Sequence, residues 1–143
     1  MAAPAFIQAG AVAPGRNVTS ASQPFKLKYA PSFGMFREHA GTDIIDNIKF
    51  CHEMGFRAMF DNGLMSRSAS DQEKMANEMK RLGMDLGPFV LYADFSVISF
   101  VLNKPEVREM LVKRMKEGVE VAKRTGAKWA LVVPGRYDEK LHR

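Results

Sequence analysis

The chain has 143 residues, 46% of them hydrophobic and 26% charged, which is typical of one globular domain with a substantial core. The formal net charge is +5, but no dense basic run with interleaved aromatic residues occurs, which argues against nucleic-acid binding and favours a solvated surface or a small anionic substrate. The single cysteine excludes an intrachain disulfide, and no apolar stretch reaches the roughly 20 residues of a membrane-spanning helix.

The first 24 residues differ in composition from the rest of the chain. They are rich in Ala, Gly, Ser and Pro and show no clear period, so residues 1–24 are predicted to lie outside the fold. Two interpretations are open: a disordered tail, or an export leader with a small-residue cleavage site at Ala11-Val12-Ala13, although the basic start of such a leader is lacking. The location is accordingly open between the cytoplasm and, for a clipped signal, the periplasm.

From residue 25 onward the chain alternates strand and helix patterns, and residues 25–143 are predicted to form the folded domain. Leu27–Ala30 alternates polar and apolar residues and predicts a first strand. Thr42 is predicted to cap a helix that Gly55 ends. The apolar face of this helix is predicted from the spacing of Ile44, Ile45, Ile48 and Cys51.

Asp61-Asn62-Gly63 follows a second apolar run, Phe56–Phe60. An Asn-Gly pair after a strand often marks a hairpin turn, but these residues could instead be the polar tip of a buried parallel strand. Ser70 and Glu73 have the spacing of a helix capping box, S-x-x-E. The helix that follows is marked by Met75, Ala76, Met79 and Leu82 on one face and by Gly83 at its end. Strand, polar tip and helix predict a βα unit and not a hairpin.

The same unit recurs in the second half of the chain. Leu86–Tyr92 is predicted to form a third strand, and Asn103 to cap a helix that has Pro105 in its first turn. Gly126 ends this helix, and Lys128–Val133 is predicted to form a fourth strand. The predicted apolar face of the helix consists of Val107, Leu111, Met115, Val119 and Ala122. Strands that are almost wholly apolar indicate a parallel sheet buried on both faces by helices.

Phe95–Leu102, FSVISFVL, is an apolar segment between the third strand and the next helix. Three interpretations are open: a short helix over the strand ends, a lid that excludes water, or a surface that meets a partner subunit. After the fourth strand, Tyr137–Arg143 is too short to supply a covering helix. The pattern is that of a small open four-stranded α/β sheet or, as we favour, of the front half of a (β/α)8 barrel.

Four segments carry a resemblance to a known family: KYAPSFGMFREHAG, GFRAMFDNGLMSRS, LGMDLGPFVLYADF and WALVVPGRYDEKL. In this order they resemble the hydroxypyruvate isomerase-like members of the sugar phosphate isomerase/epimerase group, which are xylose isomerase-like TIM barrels. The resemblance extends from Lys26 to Arg143 and covers strands one to four. It implies that the chain is the N-terminal half of such an α/β barrel and supplies about the first four βα units.

The resemblance also implies aldose–ketose or epimerase chemistry, in which a proton moves between carbon atoms through an enediolate. A divalent metal, Mg²⁺ or Mn²⁺, usually polarises the substrate oxygens, and carboxylates transfer the proton. In this group the metal ligands and the acid–base residues lie mostly at the ends of strands five to eight. The catalytic residues and metal ligands are therefore expected beyond residue 143, and the 143-residue chain alone is expected to be inactive.

The active face of a barrel lies at the carboxyl ends of its strands. This chain can therefore supply the substrate-facing ends of the first four strands. The implied substrate-binding residues are Phe36, His39, Asp61, Asn62, Tyr92 and Arg136, with Phe33, Met35 and Asp94 beside them. Each of these residues also has an interpretation without a substrate contact. Asp61 and Asn62 could only cap their loop, His39 and Arg136 could be solvated, and Phe33 and Phe36 could pack the barrel mouth.

The implied partner is a small sugar or hydroxy-keto acid, and the protein is a possible homo-oligomer. A non-catalytic α/β module that binds a ligand or takes part in assembly is the alternative function. No Walker-type loop or G-x-G-x-x-G sequence occurs, so nucleotide binding has little support. No nucleophile elbow suggests a hydrolase.

Overall fold

The computed structural model describes residues 22–140. It is a mixed α/β fold with four α-helices and small parallel sheets. The elements in chain order are α1 (Arg37–Ala40), α2 (Ile44–Glu53), β1 (Ala58–Met59), a 3₁₀ turn (Leu64–Ser66), α3 (Ala69–Arg81), β2 (Asp85–Leu86), β3 (Phe89–Tyr92), α4 (Pro105–Thr125) and β4 (Ala130–Val132). The predicted leader, residues 1–24, lies almost wholly outside the described range. Within that range no helix has the length and apolarity to cross a membrane.

The strands pair in parallel and in the order of the chain. Ser32 forms a parallel bridge with Phe60, β1 pairs with β2, and β3 pairs with β4. The predicted third strand, Leu86–Tyr92, is observed as the two short strands β2 and β3. Gly87 and Pro88 separate them, and Pro88 has no N–H to donate to a ladder. Strand, helix and parallel strand follow one another as the sequence predicted.

The first strand was predicted at Leu27–Ala30, and this prediction is wrong. Leu27 is 65% exposed, and the backbone pairing occurs further along the chain. The Phe60 N–H donates to the Pro31 carbonyl at 3.1 Å, and the Phe33 N–H donates to the Phe60 carbonyl at 3.1 Å. A strand exists only where a partner backbone lies beside it, and the end of β1 lies beside residues 31–33.

The start of α2 lies one residue later than predicted. Its N-cap is Asp43 and not Thr42, because the Asp43 carboxylate accepts hydrogen bonds from the Ile45 N–H at 2.8 Å and the Asp46 N–H at 3.0 Å. The predicted apolar face is confirmed, since Ile48 and Cys51 are fully buried. Gly55 follows the helix with φ +95°, as expected for the glycine that ends it.

The start of α3 lies two residues earlier than predicted. Its N-cap is Ser68, whose hydroxyl oxygen accepts from the Asp71 N–H at 3.1 Å. Ser70 and Glu73 lie inside the helix, so the predicted capping box is wrong. The sequence contains two overlapping capping patterns, and the one that starts at Ser68 is used. The predicted apolar face is confirmed by the burial of Met75 and Met79.

The cap of α4 also differs from the prediction. The N-cap is Lys104, which makes no side-chain capping bond, while the Asn103 side-chain oxygen accepts from Arg108 Nη2 at 3.1 Å. Pro105 occupies the first turn and Gly126 follows the helix in the left-handed conformation, both as predicted.

The buried face of α4 agrees only in part with the predicted one, since three of the five predicted residues pack against the core. Gly118, Val121 and Thr125 are buried, whereas the predicted core residue Val119 is exposed. A Cβ atom at position 118 would overlap the Leu91 side chain. The absence of a side chain at Gly118 therefore lets α4 lie close against β3, and this close approach sets which face is buried.

The fourth strand was predicted to be buried on both faces, and this prediction is wrong. In β4 Leu131 is 51% exposed, and the adjacent Trp129 is 73% exposed. The core lies instead around α2, α3, β1 and β3. Its buried apolar members are Ile48, Cys51, Met59, Leu64, Met75, Met79, Met84, Phe89, Leu91, Tyr92, Val121 and Ala127.

The apolar segment Phe95–Leu102 forms no helix, which removes one of its three interpretations. Ile98 forms an antiparallel bridge with Gly135. Ser99 is buried, and its hydroxyl donates to the Pro134 carbonyl at 3.3 Å. The segment is thus joined to the residues after β4, while its large side chains remain mostly exposed.

Candidate functional site

Asp61 lies two residues after β1 and is buried. Its Oδ1 accepts from the Gly63 N–H at 2.9 Å, and its Oδ2 forms an ion pair with Arg67. The Arg67 guanidinium lies over the Phe33 ring, with its central carbon 5.6 Å from the ring centroid. Both carboxylate oxygens of Asp61 are thus engaged within the chain, which corresponds to the loop-capping interpretation.

A buried glutamine, which sequence analysis did not identify, holds the 3₁₀ turn. Gln72 Nε2 donates to the Leu64 carbonyl at 2.8 Å and to the Arg67 carbonyl at 3.2 Å. Its Oε1 accepts from Arg124 Nη1 of α4. A signal was present in the sequence, because Gln72 lies three residues before Met75 and therefore on the apolar face of α3. Through Gln72 both α3 and α4 fix the turn that follows Asn62.

A cleft of about 520 Å³ lies between this turn, the end of β3 and α4. Its lining residues are Asn62, Met65, Ser66, Val90, Leu91, Tyr92, Ala93, Asp94, Met110, Lys113, Arg114 and Glu117. Three residues predicted at the strand ends, Asn62, Tyr92 and Asp94, therefore share one cleft. The polar atoms of the remaining wall come from α4, which the sequence analysis treated only as a packing helix.

The wall formed by α4 carries three charged residues. Arg114 Nε donates to the Leu91 carbonyl at 3.1 Å, and Arg114 Nη1 lies 3.1 Å from a carboxylate oxygen of Glu117. Lys113 is exposed, and within residues 22–140 no carboxylate lies within salt-bridge distance of it. Arg114 thus ties α4 to β3, while the Lys113 ammonium is left to the solvent or to a ligand.

Tyr92 stands at the end of β3 and is 8% exposed. Its phenol oxygen is buried and has no hydrogen-bond partner among the described residues. The ring meets Phe100 edge to face, with the centroids 5.8 Å apart. A buried hydroxyl without a partner is uncommon, because most buried polar groups are hydrogen-bonded.

Asp94 follows β3 and keeps a charge in the cleft. Its Oδ1 accepts from the Ser96 N–H at 2.8 Å and from the Ser96 hydroxyl at 2.6 Å. These hydrogen bonds, the hydroxyl first, lower the pKa of the Asp94 carboxyl below its ordinary value. A weaker hydrogen bond from the Val97 backbone lowers the pKa in the same direction, and Asp94 is ionised at neutral pH.

The other predicted site residues lie elsewhere. Phe36 and His39 lie at α1 and pack on Phe50 of α2, with ring centroids 5.7 Å and 6.0 Å away; the His39 ring is stacked at 5°. Met35 and Arg136 are exposed, and neither lines the cleft. The structure thus brings together the residues after β1 and β3 but not those of the first and fourth predicted strands.

Comparisons of the chain with protein-family models and with curated proteins found no match. Among residues 22–140, no group of three or more His, Cys, Asp or Glu side chains could hold a metal ion. The described residues therefore do not form the metal site that the family resemblance implies. The expectation concerns ligands beyond residue 143 and stays a prediction.

Proposed function

We propose that the chain is the N-terminal part of a barrel enzyme of the sugar phosphate isomerase/epimerase type, with a small sugar or hydroxy-keto acid as its substrate. The observation that carries the proposal is the cleft after β1 and β3, where Asn62, Tyr92 and Asp94 converge. Polar residues gathered at the carboxyl ends of consecutive parallel strands are what the active face of an α/β barrel needs.

The order of the strands supports the same proposal. The parallel pairings run in chain order, from residue 32 to β1, from β1 to β2 and from β3 to β4. The helices α2, α3 and α4 lie on the connections between these paired segments. A (β/α)8 barrel is built from such consecutive units. The exposed apolar side chains at β4 also support it, since a further strand and helix would cover them.

The residues of this chain would bind and orient the substrate. In the proposed reaction a C–H proton next to the substrate carbonyl is removed by a carboxylate, and an enediolate forms and is reprotonated at the neighbouring carbon. The carboxylates that move the proton would come from later strand ends. Asn62, which is exposed at the cleft, would donate hydrogen bonds to substrate oxygens, which holds the substrate in one orientation.

The experiment compares two products of the gene: the protein encoded by the whole reading frame that contains these residues, and the 143-residue chain. Each is incubated with hydroxypyruvate in D₂O with Mg²⁺ or Mn²⁺, and loss of the substrate C3 proton signal is followed by NMR. We expect exchange with the whole product, abolished by a chelator, and none with the 143-residue chain. Exchange by the shorter chain, or a frame without acidic or histidine residues at later strand ends, would overturn the proposal.

A second candidate function is supported by β4. Leu131 and the adjacent Trp129 present a large apolar surface to solvent, as a non-catalytic assembly module would. A stable, inactive complex of the whole gene product with a second protein through this surface would favour the module. A monomeric product that catalyses the exchange would favour the enzyme.

A further inference from the structure

We propose that Asn62 is a site of spontaneous deamidation, and that Asp61 slows this reaction in the folded chain by holding the Gly63 N–H group, whose nitrogen attacks the Asn62 side chain. The Gly63 N–H donates to Asp61 Oδ1 at 2.9 Å. The reaction needs no substrate, cofactor or partner protein, so Asn62 is a modification site whether or not the chain belongs to an enzyme.

The sequence distinguishes Asn62 from the other asparagines. Asn62 is the one asparagine that glycine follows, whereas the others precede valine, isoleucine, glutamate and lysine. Glycine has no Cβ atom to crowd its backbone nitrogen, so this nitrogen reaches the preceding side-chain amide more easily than that of any other residue type. Both Asn62 and Gly63 are exposed to the water that the reaction consumes.

The reaction uses the chain and water alone. Solvent hydroxide removes the Gly63 N–H proton, the nitrogen bonds to Cγ of Asn62, and the side-chain nitrogen leaves Cγ as ammonia after it takes a proton from water. The product is a cyclic succinimide, which water opens at either ring carbonyl. Aspartate forms when the bond from the nitrogen to Cγ breaks, and isoaspartate forms when the bond from the nitrogen to the main-chain carbonyl carbon breaks.

The Asp61 carboxylate opposes the removal of the proton. A hydrogen bond from a backbone N–H to a carboxylate is stronger than one to a neutral acceptor, and it must break before the proton can leave. The carboxylate charge also disfavours the negative charge that forms on the nitrogen, and solvent screens this charge little because Asp61 is buried. Arg67 forms an ion pair with Oδ2 and so holds the carboxylate beside the turn.

The backbone of the turn opposes ring closure. The Leu64 N–H donates to the Asp61 carbonyl at 3.3 Å, and Gly63 has φ −89° and ψ 3°, which are the values of the third residue of a type I turn. The second residue of such a turn, here Asn62, has ψ of about −30°. This rotation turns the Gly63 nitrogen away from the Asn62 Cβ, whereas ring closure needs both on the same side of the Cα–C bond. The turn must therefore open before Asn62 reacts, and Gln72 resists that opening by donating to the Leu64 carbonyl at 2.8 Å.

Deamidation changes the charge and the backbone of the cleft wall. Aspartate at position 62 places a second carboxylate beside Asp61 and removes the amide donors of Asn62. Isoaspartate also routes the main chain through the former side-chain carbon, which lengthens the backbone by a methylene group between Asp61 and Leu64. The hydrogen bond between these two residues no longer fits, so the 3₁₀ turn and the cleft beside it are loosened.

The first measurement compares the full 143-residue chain in the folded state and in guanidinium chloride, both at neutral pH. Samples are digested at intervals, and tandem mass spectrometry measures aspartate and isoaspartate at each asparagine. We expect Asn62 to convert before the other asparagines in denaturant. In the folded chain we expect it to convert at least about tenfold more slowly than in denaturant, because the turn must open first.

The second measurement follows the Gly63 N–H proton without any substitution. Hydrogen exchange of a backbone amide at neutral pH also begins when hydroxide removes the proton, so it reports the first step of the reaction. Gly63 is exposed, and without the bond to Asp61 its N–H would exchange as in the unfolded chain. We expect NMR to show exchange at least about tenfold slower than that. Unprotected exchange would contradict the role of Asp61.

Two aspartate variants test the same role. Asp61→Ala removes the acceptor and its charge, and we expect it to raise the deamidation rate of the folded chain by about tenfold. Asp43→Ala is the matched control, because Asp43 also accepts hydrogen bonds from backbone N–H groups, those of Ile45 and Asp46, but at the start of α2 and not in the turn. It should leave the rate unchanged. Circular dichroism checks that both variants are folded; if Asp61→Ala is not, hydrogen exchange of the Gly63 N–H in the parent chain decides.

Four results of these experiments would overturn the inference. Conversion of another asparagine before Asn62 in denaturant would show that the site is wrong, and equal rates in the folded and unfolded chains would show that the turn gives no protection. Equal acceleration by Asp43→Ala would attribute the effect to general loosening of the fold. Slower deamidation in Asp61→Ala would identify Asp61 as the base that removes the Gly63 proton.

Discussion

Cys51 shows how a single buried side chain links sequence to stability. It lies on the inner face of α2 and is 1% exposed. Burial raises the pKa of its thiol from the ordinary 9.0 to about 11. At neutral pH the thiol is therefore protonated and screened, which makes Cys51 a small core residue and not a nucleophile.

This pKa predicts a loss of stability in alkali. The unfolded chain ionises Cys51 above pH 9, whereas the folded chain does so only near pH 11, so the thiolate favours unfolding in that interval. Two pKa units correspond to roughly 3 kcal/mol of unfolding free energy. Urea unfolding from pH 8.5 to 11 should show this loss in the parent chain and not in Cys51→Ala. Parallel curves for the two proteins would contradict the prediction.

At the scale of elements, the helix starts are decided by single hydrogen bonds. Asp43 and Ser68 cap α2 and α3, and each lies within two residues of the position that the sequence pattern favoured. Helix ends are set by orphan N–H groups that need an acceptor, and several nearby side chains can supply one. Three positive-φ glycines after helices, Gly55, Gly83 and Gly126, have no such competitors and were predicted correctly, whereas Gly41 after the short helix α1 was not predicted.

Two serines of the same segment provide a matched test of the α3 cap. Ser68→Ala removes the oxygen that accepts from the Asp71 N–H and should lower the unfolding free energy by about 1 kcal/mol. Ser70→Ala lies inside the helix and should change stability by no more than about 0.5 kcal/mol, because alanine is the better helix former. Chemical denaturation of both variants measures the difference. A larger loss in Ser70→Ala would show that the helix starts at the later pattern.

At the scale of the whole molecule, the strands differ in how well helices cover their apolar side chains. The two small sheets are covered by α2, α3 and α4 near β1 and β3, whereas β4 exposes its apolar side chains. The edge of β4 opposite β3 has no strand partner among the described residues. Exposed apolar surface beside an unpaired strand edge favours association between chains.

The isolated 143-residue chain is therefore predicted to self-associate with rising concentration. Leu131→Lys places a charge on β4 and should shift the protein towards monomer, since a charge on an edge strand opposes pairing. Leu27→Lys is the matched control, because Leu27 is similarly exposed but lies outside the strands. Sedimentation velocity over a concentration series measures both. A monodisperse parent monomer would contradict the prediction.

The candidate site was predictable in part. Asn62, Tyr92 and Asp94 were identified because polar residues at the ends of apolar strands are visible in the sequence. Lys113, Arg114 and Glu117 were missed because a charged helix surface is ordinary, and only the packing of α4 against β3 turns these residues towards a cleft. Gln72 was missed although it interrupts the apolar face of α3.

The sequence by itself determined the alternation of strands and helices, the glycine ends and the inner faces of α2 and α3, because these depend on residues one or two turns apart. The tertiary structure decided which residues pair with Phe60, which face of α4 is buried and where the cleft lies. Each of these depends on contacts between residues far apart in the chain, such as Leu91 with Gly118 or Gln72 with Arg124. No local period encodes such contacts, since they are selected by the packing of whole elements against one another.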